Sequence, residues 1–305
     1  MLVFNEIKPN IIPASCLAQG MFDGVHLGHQ KVIMNSIEKS KTMDALATVV
    51  TFANHPQHIT TKKSPKLITK LEDRLELFED LGVQAVLLLD FTEELSRMTA
   101  VDYIKTVLVQ GLNARHISIG YNHRFGSRKK GDYKLLEQYS KQYGYNVTVI
   151  SQVNIEGQVA SSSDIRKLIS NGDVYLASKL LGRPFSIKGT VIEGKRRGTR
   201  LGFPTANMEL PENMISPAAG VYSGLVYIGN DSHYAVINVG KRPTYGDLLV
   251  NLVEAHILNY NGDLYHKNIE VAFLKKLREE KKFASEAKLV EQIRLDCQAA
   301  TLLNL

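Results

Sequence analysis

Along the first half of the chain, short apolar runs alternate with amphipathic stretches. "CLAQG", "LATVVTF", "VQAVLLLDF", "RHISIG" and "NVTVI" read as buried strands. Between them, "HQKVIMNSIEKSK", "KLEDRLELFEDLG", "AVDYIKTVLVQGL" and "YKLLEQYSKQYG" carry apolar residues at helical spacing. In the second of these, Leu71, Leu75 and Phe78 form one stripe and Gly82 supplies a stop. Strand, helix and strand in repetition predict an α/β fold, a doubly wound parallel sheet.

After "GDVYLASKLLGRPF" the pattern changes. Pro184 breaks a helical stretch, and "SIKGTVIE", "GVYSGLVYI", "HYAVINVG", "NLVEAHIL" and "NIEVAFL" then follow one another without intervening helices. Such strands predict a small antiparallel β-barrel or sandwich. The chain closes on a helical pattern, "ASEAKLVEQIRLDCQAATLL". The change of texture places a boundary near residues 182–186, and so domains at 1–183 and 184–305.

Composition narrows the class. A length of 305 residues suits two cores, and 44% hydrophobic with 22% charged residues is globular. No apolar run is long enough to span a bilayer, and "MLVFNEIKPNIIP" lacks a secretion pattern, so no membrane partner is expected. Cys16 and Cys297 have neither metal nor disulfide spacing and read as buried thiols in a reducing, cytoplasmic setting. The net charge of +6 favours acidic partners, nucleic acid or small phosphorylated molecules. The basic residues are spread along the chain without aromatic interleaving, which disfavours nucleic acid. Oligomeric state is left open.

The candidate chemistry begins at "GMFDGVHLGHQKVI", residues 20–33, where the first strand runs into the first helix. Ligands of parallel sheets gather outside the carboxyl ends of strands, and a helix start offers free N–H groups to an anion. Gly20 and Gly24 would let the backbone bend and approach a phosphate. His26 and His29, three residues apart, would project to one side as donors to a triphosphate. The spacing lacks the i, i+4 pair and partner carboxylate of a zinc helix. A second stretch, "ASSSDIRKLI", sets serines before another helix: Ser162 or Ser163 would cap it, and Arg166 adds a multi-donor fork suited to phosphate.

In the second half, Gly189 to Lys195 matches G-x-x-x-x-G-K, but Arg196 follows where Ser or Thr is needed. The stretch also alternates like a strand, so it is no P-loop. In "GFPTAN", extended geometry puts Thr205 and Asn207 on one side and Ala206 on the other, two hard oxygens suited to magnesium with a nucleotide. Lys195, Arg196, Arg197 and Arg200 flank them. In "NLVEAHIL", Val253, Ala255 and Ile257 share one face, Glu254 and His256 the other. A kinase acting on an alcohol needs such a carboxylate near the attacking oxygen.

"FDGVHLGHQ", "TFANHP", "IGYNHRFG", "SSSDIR" and "LLGRPF", in this order, resemble the bacterial bifunctional riboflavin kinase/FMN adenylyltransferases, members of the HxGH nucleotidyltransferase superfamily. "GTVIEGKRRGTRLGFPTAN", "GVYSG", "INVGKRPTYG", "VEAHIL" and "LREEKKFAS" extend the resemblance over the second half. It implies a kinase barrel that makes FMN from riboflavin and a first domain that transfers AMP from ATP to FMN, with Mg2+ accompanying ATP. Its substrates would be riboflavin, FMN and ATP. By the same resemblance, His26 and His29 steady the departing pyrophosphate and Glu254 is the kinase base. Gly20, Phe22, Asp23, Gly24, Gly28, Ser162, Ser163 and Arg166 would meet ATP or phosphate in the first domain. Gly194, Lys195, Thr205 and Asn207 would do so in the second, with Thr205 and Asn207 as metal ligands. Asn122, Arg124 and Arg278 would meet flavin, Arg278 from a lid. Many members read D-F-R-F-G where this chain reads "NHRFG": Asn122 keeps hydrogen bonding without the charge, and His123 offers an imidazole for stacking in place of an aromatic ring. Two rival readings are a kinase whose first domain is silent, and a flavin-sensing or RNA-binding regulator.

Overall fold

A computed structural model describes residues 1–194, 197–243 and 249–302, with side chains outside 241–250. Compactness divides the chain into Met1–Ser162 and Ser163–Leu305.

The first unit is built on a sheet of six parallel strands: β1 (Leu2–Phe4), β2 (Ser15–Gln19), β3 (Leu46–Phe52), β4 (Ala85–Leu89), β5 (Ala114–Gly120) and β6 (Asn146–Ile150). Their order is β1-β4-β3-β2-β5-β6. Alternate residues bury on opposite faces: Leu17, Val50 and Leu87 join one core cluster, while their neighbours Ala18, Val49 and Val86 join another. Helix α1 (Leu27–Met43) brings Val32 and Ile33 to the second cluster. The short α2 (Gln57–Thr60) precedes α3 (Leu71–Leu81), which adds Phe78 to that cluster. Gly82, at φ +94°, ends α3 as the sequence predicts. On the other face lie α4 (Glu93–Arg97), α5 (Ala100–Asp102) and α6 (Tyr133–Tyr143), whose Ala100 and Leu136 enter the first cluster. The stretch predicted as one helix from Ala100 widens into a π-helix over Tyr103–Gly111. The β1 strand, which the pattern did not predict, pairs with β4 at the sheet edge. A two-stranded hairpin, β7 (Asn154–Ile155) and β8 (Gln158–Val159), follows β6. Sequential strands run outward in both directions from β2, which lies between β3 and β5. The loop after β2 therefore leaves the sheet at its topological switch point, where ligands bind in such folds.

The second unit opens with α7 (Ser162–Ser170), entered through Ser162, and α8 (Val174–Leu181). The division falls upstream of 183 because α8 buries Val174, Ala177, Leu180 and Leu181 and packs on strands of the barrel. The strands are β9 (Phe185–Thr190), β10 (Ala206–Glu209), β11 (Gly220–Ile228), β12 (Asp231–Pro243), β13 (Leu249–Ile257) and β14 (Asn268–Arg278). They pair antiparallel in the order β10-β13-β12-β11-β14-β9. A bridge from Ile192, just past β9, to Asn207 on β10 nearly closes the sheet into a barrel. Phe185, Tyr222, Ile237, Val253 and Phe273 are buried within the unit. Helix α9 (Arg197–Arg200) lies in the loop before β10. The terminal α10 (Glu286–Leu302) lays Ala300 and Cys297 on Val221 and Val236. Cys16 is buried as expected; Cys297 is half-buried.

Candidate functional sites

The loop after β2 is a strained turn. Phe22, Gly24 and Val25 have φ of +54°, +84° and +41°. A left-handed conformation costs a β-branched residue about 1–3 kcal/mol, so surrounding bonds must hold it. The Asp23 carboxylate accepts from the Ile68 N–H at 3.0 Å and from the Thr69 N–H at 3.1 Å. Ser162 Oγ donates to the Asp23 carbonyl at 3.0 Å, and Gln30 Nε2 donates to the Val25 carbonyl at 2.9 Å. Asp23, 2% exposed, thus shapes the loop. Ser162, the last residue of the first unit, spends its hydroxyl on this loop, where the sequence offered it as a cap.

His26 is the N-cap of α1: its Nδ1 accepts from the His29 N–H at 3.3 Å. With Nδ1 accepting, Nε2 is the ring nitrogen left to donate. The two imidazoles stack, with centroids 3.5 Å apart and planes at 22°. Phe22, buried, meets the edge of His29 at 5.2 Å and so backs the pair. Gly28 makes the stack possible, because a Cβ there would stand 3.1 Å from His26 Cε1. A Cβ at Gly20 would meet the Phe22 ring at 3.1 Å. Ser163 and Arg166 lie further along α7, in the second unit.

Sequence reading missed Arg74, although it falls on the stripe of Leu71, Leu75 and Phe78. It is 2% exposed and donates to the carbonyls of Met21 (2.9 Å) and Phe52 (2.6 Å), joining the loops after β2 and β3. Burial pulls its pKa down, and nearby Asp23 and Glu72 oppose that. A charge on an apolar stripe was the available signal.

In the "NHRFG" loop, Asn122 and Arg124 are exposed. His123, expected to offer its face to a ring, instead lies against Phe125 at 6.3 Å and 23°. Its Nε2 is buried with no partner among the described residues. Burial, then the Arg124 charge, pulls its pKa down to about 4.

In the barrel unit, strand register gathers the predicted residues into one row. Arg278 pairs with Val221, Val221 with Asn238, Asn238 with Glu254, and Glu254 with Asn207. Residues opposite one another share a face of the sheet. Asn207 and Glu254, far apart in sequence, are therefore immediate neighbours. Asn238 Nδ2 donates to Glu254 Oε2 at 3.3 Å, and Asn207 Nδ2 donates to the Thr205 carbonyl at 3.1 Å. The second bond engages the Asn207 amide nitrogen, and an amide oxygen is the kind of hard ligand that suits magnesium. Gly194 is packed against Asn207, where a Cβ would stand 2.6 Å from Nδ2. Thr205 lines a cavity of about 460 Å³ with Pro204, Ala206, Tyr260 and Asp263. His256 Nδ1 lies 2.8 Å from the Pro204 carbonyl and steadies its rim. Lys195 and Arg196 lie outside the described residues. Gly189 lies in β9, consistent with rejecting a P-loop.

Arg278 ends β14, and its Nε and Nη2 donate to Asp296 of α10 at 3.0 and 2.7 Å, while Nη1 donates to the Glu279 carbonyl at 3.0 Å. Its side chain is 19% exposed and that of Asp296 5%. All three guanidinium nitrogens are engaged, and Arg278 thereby anchors the terminal helix. Among the described residues, no group of three or more His, Cys, Asp or Glu side chains could hold a metal ion.

Comparison with known proteins covers both units. A FAD synthetase family model matches residues 8–164 and a riboflavin kinase family model residues 181–303. A bifunctional riboflavin kinase/FMN adenylyltransferase of Buchnera aphidicola is 37% identical, over 93% of this chain and 92% of its own. One from Bacillus subtilis is 35% identical, over 94% and 91%. A solved structure from Streptococcus pneumoniae, titled a macrolide-efflux protein, is 30% identical with a TM-score of 0.90 and covers 99% of each chain. Among the described residues here, no helix is long and apolar enough to cross a membrane. Two matched domain families in tandem, and relatives of the same two-part design along nearly the whole length, place the chain in the bifunctional riboflavin kinase/FMN adenylyltransferase family.

Proposed function

We propose that the barrel unit phosphorylates riboflavin with ATP and that the parallel-sheet unit joins AMP to the resulting FMN, releasing pyrophosphate. The observation that carries this reading is the pair of separately built sites: the His26–His29 stack at a helix start, and the Asn207–Glu254 pair in register.

In the kinase step, Glu254 orients the ribityl 5′-hydroxyl and takes its proton as the oxygen bonds to the γ-phosphorus and the bond to ADP breaks. Thr205 and Asn207 would hold Mg2+ with ATP. When bound there, the ion would supply charge neutralisation to the phosphates. In the adenylyl step, an FMN phosphate oxygen bonds to the α-phosphorus as pyrophosphate departs. His26, through Nε2–H, and His29, with the first N–H groups of α1, stabilise the charge gathering on the leaving group. Gly24 and Gly28 let the phosphates approach, and Asn122 and Arg124 meet the flavin. The reactions belong in the cytoplasm, where the two unpaired cysteines stay reduced.

The test is a chromatographic time course with riboflavin and excess Mg-ATP. FMN is expected first and FAD after it. His29→Ala should stop at FMN; Glu254→Gln should make FAD only from supplied FMN. Loss of both activities in either variant overturns the two-site reading, and unchanged riboflavin with the native chain overturns the kinase assignment. FMN that never becomes FAD would leave the kinase alone.

A further inference from the structure

We propose that Asn238 is a positioning residue of the kinase reaction, holding the Glu254 carboxylate in the orientation that receives the substrate proton. The inference rests on the kinase reading above and adds a residue that carries none of its chemistry.

Glu254 is half-buried on the outward face of β13, opposite the face that carries Val253, Ala255 and Ile257. A glutamate side chain has several rotatable bonds, each with several staggered states. General-base transfer needs the carboxylate within about 2.6–3.2 Å of the hydroxyl, so it must be held. The strands flanking β13 present an asparagine at the opposing position on each side, Asn207 on β10 and Asn238 on β12. Their amides are spent differently. Asn207 sends Nδ2 to the Thr205 carbonyl. Asn238 sends Nδ2 to Glu254 Oε2, and among the described residues this is the carboxylate's hydrogen-bond partner.

The pairing has one sense only. An ionised carboxylate only accepts, so the amide must turn its nitrogen toward it. Holding Oε2 fixes the carboxylate plane and leaves Oε1 for the hydroxyl. A neutral amide does this without the counter-charge that would make Glu254 a weaker base, which is why a lysine or arginine at 238 would serve badly. Two residues along, Gly240 keeps the same face low: a Cβ there would stand 2.7 Å from Glu280 Oε1 and 3.7 Å from Asn238 Nδ2.

The test uses the full chain with Asn238→Asp, which keeps the shape and loses the donor, and Asn238→Leu, which loses both polar atoms. FMN formation is followed in single turnover, alongside steady-state KM for riboflavin and for Mg-ATP. Both variants should lower the single-turnover rate about 10- to 100-fold, the usual cost of losing a group that orients a reactive one. Both KM values should stay within about twofold. A native rate in Asn238→Asp overturns the proposal, as does a kept rate with a raised riboflavin KM, which would make Asn238 a substrate contact. Glu254→Gln is measured in parallel. If it stays active, the base assignment fails; if it is inactive while Asn238→Asp is native, only the positioning role fails.

Discussion

Replacing Gly28 by alanine should weaken FAD formation while sparing FMN formation. The new Cβ would stand 3.1 Å from His26 Cε1, 3.2 Å from its Nδ1 and 3.4 Å from the Ala160 carbonyl oxygen. The imidazole is the softer neighbour. To restore an ordinary carbon–carbon contact of about 3.5 Å, it must move by roughly 0.4 Å. A displacement of about 1 Å at a reacting centre costs on the order of 10²-fold in rate, or about 2.7 kcal/mol. Scaled to the smaller shift, the cost is about 1 kcal/mol, roughly sixfold in rate. The same shift weakens the His26 cap on α1, worth about 1 kcal/mol. Alanine gains about 0.5–1 kcal/mol over glycine inside a helix, so stability should barely change. The assay is the initial rate of FMN to FAD against that of riboflavin to FMN in one preparation, with a thermal melt. A native rate of FAD formation, or equal loss of both activities, would refute the account of Gly28 as the space in which the imidazoles stack.

Arg278→Leu should destabilise the barrel unit by about 3 kcal/mol, because the Asp296 carboxylate, 5% exposed, is left buried without its ion-pair partner and keeps only the Gln292 amide. A denaturant melt unchanged from the native chain would contradict the anchoring role. His116, 3% exposed with neither ring nitrogen partnered among the described residues, has its pKa pulled down to about 4 by burial, with the Lys39 charge acting the same way. Between that value and the unfolded value of about 6.5, the unfolded chain binds the extra proton. Stability therefore falls as pH drops from about 6.5 toward 4, by about 2–3 kcal/mol by pH 4.5. His116→Leu should remove most of that slope and raise stability at neutral pH, and urea melts at pH 7.5 and 4.5 would expose an unchanged slope.

The strands and helices of the first unit were legible because each buried position repeats its signal. Leu17 and Ala18, or Val49 and Val50, are apolar on successive residues, which a strand covered on both faces requires. The edge strand β1 was not legible, since three residues with two exposed side chains carry no such pattern. Arg74 and Asn238 escaped for different reasons. The first was a charge on an apolar stripe, visible but passed over; the second sat within "INVGKRPTYG" as an ordinary residue, since nothing local marks what lies across a strand.

By itself the sequence determined the two architectures in tandem, the turn and helix start that carry His26 and His29, and the alternation that turns Glu254 away from the barrel core. These are local or periodic properties, set by backbone geometry and by which side chains avoid water. Only the tertiary structure decided that His26 caps the helix and stacks on His29, that Asp23 serves the loop, that Arg278 belongs to the terminal helix, and that Asn207, Glu254 and Asn238 stand side by side. Each of those depends on register or on contacts between residues distant in the chain. Shifting a strand by one residue would exchange its two faces while leaving the local sequence unchanged.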